Sequence, residues 1–128
     1  MEENLNSNME MPYMKEYNEF ISSYKTKEIS GEEIGEKITR MAQYYAIHNI
    51  RLLDANKKLS LVAMEKEAIV DESTLKQISS AKAKILTDAT TEAHEYAEQK
   101  AHVQNIEQFI NALKSLQKGV LNEYSHMG

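Results

Sequence analysis

Positions 34, 38, 41, 45, 48, 52, 55, 59, 62, 66 and 69 fall alternately four and three apart, and all but His48 and Lys66 carry apolar or aromatic side chains. A spacing that averages about 3.5 residues keeps one stripe of a helix against a partner helix along its whole length. Proline is absent from this run, and its single glycine, Gly35, lies in the first turn. At about 1.5 Å per residue such a helix is a rod roughly 50 Å long. It needs a partner of similar length. A second stripe supplies one through Tyr96, Gln99, Val103, Ile106, Ile110, Leu113, Gln117, Val120 and Tyr124, widened by Phe109, Leu116 and Leu121.

Start and stop signals divide the chain. Pro12 suits a first helical turn, where its missing N–H costs nothing. Tyr13, Tyr17, Phe20, Ile21 and Tyr24 then recur on one face of a short helix. Ser30-Gly31-Glu32-Glu33 has the form of a capping box directly before the long run. Asp71-Glu72-Ser73-Thr74 breaks the pattern with residues that bond their own backbone. Ser79 is a candidate cap for a short helix, and Thr90 and Thr91 offer another, so 87–91 reads either as a kink or as a joint.

These signals predict an all-α fold: a long antiparallel helical hairpin with a short N-terminal helix. Helices are expected at about 12–24, 31–70, 79–88 and 90–124, within one domain over 12–128 that follows a flexible arm over 1–11. Leu52, Leu59, Ile106 and Ile110 are expected in the core. The first long helix is apolar on a second face as well, through Ile47, Ile50, Leu53, Leu61 and Met64. A helix apolar on two faces must be covered on both. The short helix is expected to cover part of this face, and another subunit the remainder, which predicts a homo-oligomer.

Composition narrows the function. The chain has 128 residues, a net charge of -5 and no cysteine. Disulfides, thiolate metal sites and cysteine nucleophiles are therefore excluded. No apolar run approaches the roughly 20 residues that span a bilayer. The acidic start is unlike a signal peptide. A cytoplasmic protein is expected, within a bacterial host cell if the chain is phage-encoded.

Candidate chemistry is sparse. Glu123 and His126 have the spacing used in di-iron bundles, and Glu98 and His102 lie one turn apart. A di-iron site needs two such motifs and two further carboxylates. No metal, cofactor or catalytic residue is therefore assigned, and the chain is not expected to be an enzyme. His48, Lys66, Gln99 and Gln117 read as polar seam positions that fix register.

Lys37, Tyr44, Arg51 and Lys58 are spaced seven apart along one edge of the first long helix. Cations interleaved with an aromatic suit a single-stranded nucleic acid, phosphates on the cations and a base on the ring. The competing reading is a row of flank residues that pair with acidic neighbours and cover the seam with their stems. Lys76, Lys82 and Lys84 extend the basic surface around the turn.

The layout resembles phage recombination mediators of the UvsY type, over roughly residues 42–124. The resemblance rests on Gln43-Tyr44-Tyr45, on Leu52-Leu53-x-x-Asn56-Lys57-Lys58, on the interrupted middle, and on Glu98-x-Lys100-Ala101 followed by Ile106, Ile110, Leu113 and Leu116. It implies a small all-helical protein that assembles into rings, binds single-stranded DNA and helps a recombinase displace a single-strand-binding protein. Where that family carries a basic and aromatic cluster late in the first long helix, this chain has Met64-Glu65-Lys66-Glu67. The expected DNA contact therefore moves to the Lys37–Lys58 line. The alternative is a small helical protein-binding factor, such as a phage-encoded inhibitor of a host or defence protein, for which net acidity is an asset.

Overall fold

The computed structural model describes residues 11–26 and 28–127, with side chains over 11–25 and 28–123. The arm expected at 1–11 lies outside the described residues except for Met11, and so do the side chains of Tyr124 and His126. Along the chain come α1 (Pro12–Thr26), α2 (Gly31–Glu67), β1 (Val70–Asp71), β2 (Lys76–Gln77), α3 (Ser80–Asp88) and α4 (Thr91–Met127). The described residues form two compact units, one from 11–45 with 105–127 and the other from 46–104.

The first unit is built on α1, the start of α2 and the end of α4. Ser30 caps α2: its Oγ accepts from the Glu33 amide at 3.1 Å. Tyr13, Ile29, Ile34, Met41, Ile106, Leu113 and Val120 form the buried core, with Tyr17, Phe20 and Phe109 packed against it. Tyr13 is wholly buried between Tyr44 and Phe109, and Tyr17 stacks on Phe109 with ring centroids 3.9 Å apart. Gln117 Nε2 donates to the Gly31 carbonyl at 2.9 Å, and Tyr45 donates to Glu107 at 3.1 Å. Residue numbers rise along α2 as they fall along α4, so the helices run antiparallel. A Cβ on Gly35 would stand 3.1 Å from Gln117 Nε2, so the one glycine inside the heptad run marks the place where α4 approaches closely.

The second unit holds the rest of α2, the β-hairpin, α3 and the start of α4. The long helix is expected to reach residue 70 but ends at Glu67, and 68–79 forms a hairpin pairing Val70 with Gln77 and Asp71 with Lys76. The cause is local. The Asp71 carboxylate accepts from the Ser73 amide at 2.9 Å and the Ser73 hydroxyl at 2.7 Å, a turn that competes with helix. Leu75 closes the turn with φ of 58°, a left-handed conformation. Ser79 caps α3 through the Lys82 amide, and Thr90 caps α4 through the Ala93 amide. Residues 87–91 are thus a joint between two helices.

Burial follows the heptads with one correction. Ile34, Met41, His48 and Ala55 on α2 are buried, as are Gln99, Ile106, Leu113 and Val120 on α4, each set seven residues apart. Of the four expected core residues, Ile106 is fully buried, whereas Leu52, Leu59 and Ile110 are half-buried. The alternate rows are covered less evenly: Val103 on α4 is buried, while Leu52 and Leu59 on α2 and Ile110 on α4 are only partly enclosed.

Candidate functional site

The second face of α2 is open. Ile47, Ile50, Leu53, Leu61 and Met64 are between 46% and 68% exposed, all within the second unit. The expectation that the N-terminal helix covers part of this face is corrected, because α1 packs into the core of the first unit instead. Five large apolar side chains at helical spacing thus lie exposed on one face of the helix.

The proposed nucleic-acid residues divide between the two units. Lys37 and Tyr44 belong to the first, and both converge on Glu16 of α1. Arg40 grips the Glu16 carboxylate with Nε at 2.9 Å and Nη2 at 3.2 Å, Lys37 Nζ lies 3.9 Å from it, and the Tyr44 hydroxyl donates to it. The Arg40 guanidinium also covers the Tyr44 ring at 4.6 Å from its centroid, and Tyr13 packs beside it. The ring of Tyr44 is thus occupied by its own neighbours. Arg51 and Lys58 belong to the second unit, where both are exposed and Lys58 pairs with Asp54 at 3.1 Å.

Around the turn, Lys76 and Lys82 are exposed and Lys84 pairs with Asp88 at 2.9 Å. Lys82 lies close enough to help hold the Asp71 carboxyl below its usual range, behind the larger effect of the two Ser73 bonds. Exposed ion pairs of this kind contribute little stability.

A buried polar group sits between α2 and α4 of the second unit. His48 Nδ1 lies 3.4 Å from Gln99 Oε1, the His48 and His102 rings are 5.4 Å apart, and Gln99 Nε2 donates to Glu95 at 3.3 Å. His102 Nε2 lies 3.8 Å from a Glu98 oxygen. Burial lowers the His48 pKa from its ordinary value, the Gln99 bond opposes this, and Arg51 and His102 lower it further. Polar pairs held inside an apolar seam fix which turn of one helix meets which turn of the other. The sequence pattern places His48 and Gln99 on the seam and misses His102. Its spacing of three residues from Gln99 is the signal that would have found it.

Among the described residues no group of three or more His, Asp or Glu side chains is arranged to hold a metal ion, and no helix is long and apolar enough to cross a membrane. No protein-family model, curated protein or solved structure matches this chain.

Proposed function

We propose that the protein is a non-enzymatic accessory factor of DNA recombination or replication that assembles from several copies and grips single-stranded DNA, helping to load a recombinase. The observation that carries the assembling part is the exposed apolar row on α2. For the DNA part the support is the likeness to recombination mediators together with the exposed cations of the second unit outside the ion pairs described above, Arg51, Lys76 and Lys82. Each copy offers few cations against a net charge of -5, so one subunit binds weakly. Several subunits on one strand bind well, as linked weak sites do.

A second reading, a helical factor that docks on another protein, is favoured by the ion pairs that neutralise Lys37, Lys58 and Lys84. Fluorescence anisotropy with labelled oligo-dT at two salt concentrations separates the two. The DNA reading expects binding at low salt and a log–log salt slope of about -0.7 per phosphate contacted. Arg51→Ala with Lys82→Ala should flatten that slope without changing the assembly. Absence of binding at low salt by the assembled protein refutes the DNA reading and leaves the protein-docking one.

A further inference from the structure

The exposed face of α2 is itself a heptad row. Ile47, Ile50, Asp54, Lys57, Leu61 and Met64 alternate three and four apart, and every one of them is exposed. The row is symmetric about its centre: two apolar residues, an acid, a base, two apolar residues. It spans about 26 Å of helix. α2 thus carries two seams, one closed by α4 of the same chain and one left open.

We propose that the occupant of the open seam is α2 of a second copy, running antiparallel about a two-fold axis that passes midway between positions 55 and 56. This rests on the assembly reading above and names the geometry of one pairwise contact within it. In an antiparallel helix pair each first-type seam position faces a second-type position of the partner. With that axis, Ile47 faces Met64 of the second copy, Ile50 faces Leu61, and Asp54 faces Lys57; each contact occurs twice, as a self-complementary interface requires. A parallel in-register pair would set Asp54 against Asp54 and Lys57 against Lys57. Sliding the antiparallel pair by one heptad would set a charge against an apolar side chain on both sides. Both alternatives carry like-charge or unpaired-charge penalties that the two-fold register avoids. The central ion pair therefore selects one orientation and one register. Lys58, paired with Asp54 inside the subunit at 3.1 Å, lies beside the seam and stays compatible with it.

Analytical ultracentrifugation of the full chain tests the interface through charge exchange. Asp54→Lys alone and Lys57→Asp alone each place like charges opposite one another and should raise the dimer dissociation constant about tenfold or more. The double exchange restores opposite charges and should restore the dimer. An equimolar mixture of the two single variants should form a heterodimer. All of these positions are exposed in the subunit, so unchanged far-UV circular dichroism verifies that the variants fold.

Because the chain has no cysteine, Ile50→Cys and Leu61→Cys provide an independent readout. Mixed and oxidised, they should form a disulfide linking one of each. Neither should link to itself, since identical positions lie about 16 Å apart along the axis, beyond disulfide reach of about 7 Å. A wild-type chain that stays monomeric at tens of micromolar overturns the assembly reading and this proposal with it. A wild-type dimer that the double exchange does not rescue, or in which Ile50→Cys links to itself, overturns the antiparallel register alone. None of these readouts involves DNA, so a failure to bind oligo-dT bears on the functional reading only.

Discussion

Glu16 of α1 and Arg40 of α2 meet in a two-pronged ion pair, Nε to Oε1 at 2.9 Å and Nη2 to Oε2 at 3.2 Å. Lys37 and Tyr44, two of the residues expected to grip DNA, turn toward the same carboxylate. The heptad line that places Lys37 and Tyr44 beside Arg51 and Lys58 is regular in sequence, but the carboxylate of a different helix claims its first half. This pairing also explains how a helix of about four turns is held in place: an aromatic face enters the core and a carboxylate clasps the rim.

Glu16→Gln should loosen α1. It removes the charge that Arg40, Lys37 and Tyr44 share, so the melting temperature should fall and amide exchange in α1 should quicken. The loss should shrink as salt is added, since the pair is partly exposed. Thermal melts at two salt concentrations test this, and an unchanged melting temperature at low salt would contradict it.

Tyr13→Ala should be far more damaging. The side chain is wholly buried between Tyr44 and Phe109, and Asn105 donates to its hydroxyl at 3.5 Å. Large-to-small changes at such aromatic sites cost about 3–5 kcal/mol. Urea unfolding should show a midpoint well below that of the parent chain. Tyr13→Phe, which keeps the packing, should stay close to it.

Stability should fall below neutral pH through His48. Its folded pKa lies under the ordinary 6.5, chiefly because burial disfavours the charged form. The unfolded chain therefore takes up this proton first as pH drops. The stabilising contribution is complete above pH 6.5 and is lost as pH falls from there toward the folded value. His102, Glu95, Glu98 and Arg51 surround the group and set the size of the effect. Melting temperatures between pH 5 and 7.5 should fall less steeply in His48→Leu than in the parent chain; an equal slope would show that other groups govern acid sensitivity.

Leu75→Gly should stabilise the hairpin. Leu75 is 81% exposed with φ of 58°, so the change gives up little burial. It also relieves a conformation that costs a non-glycine residue roughly 1–2 kcal/mol. The extra freedom of glycine in the unfolded chain offsets part of that gain. A small rise in melting temperature is expected, and a fall would mean that Leu75 packs on something.

Much of the helical plan was legible in the residues, because a 3.5-residue period leaves few other ways to bury a stripe. The caps at Ser30, Ser79 and Thr90 were legible for a similar reason: a hydroxyl just ahead of a periodic run has an amide to accept from. What the pattern does not reveal is pairing across long sequence separations. Nothing near Tyr44 announces that Glu16, on another helix, will take its hydroxyl. Nor does periodicity reveal a hairpin of two-residue strands, which rests on one aspartate turn and one left-handed leucine. The open row of α2 was legible at its apolar ends alone, since Asp54 and Lys57 interrupt the hydrophobic signal at its centre.

The central claim is that the exposed row of α2 is the surface through which copies of this chain assemble. Sedimentation equilibrium of the full chain beside an Ile50→Glu, Leu61→Glu variant tests it most directly. The expected result is a wild-type mass of at least twice 14.7 kDa at tens of micromolar, against a monomeric variant with the same helix content. A monomeric wild-type chain, or a variant that assembles as well as its parent, would contradict it.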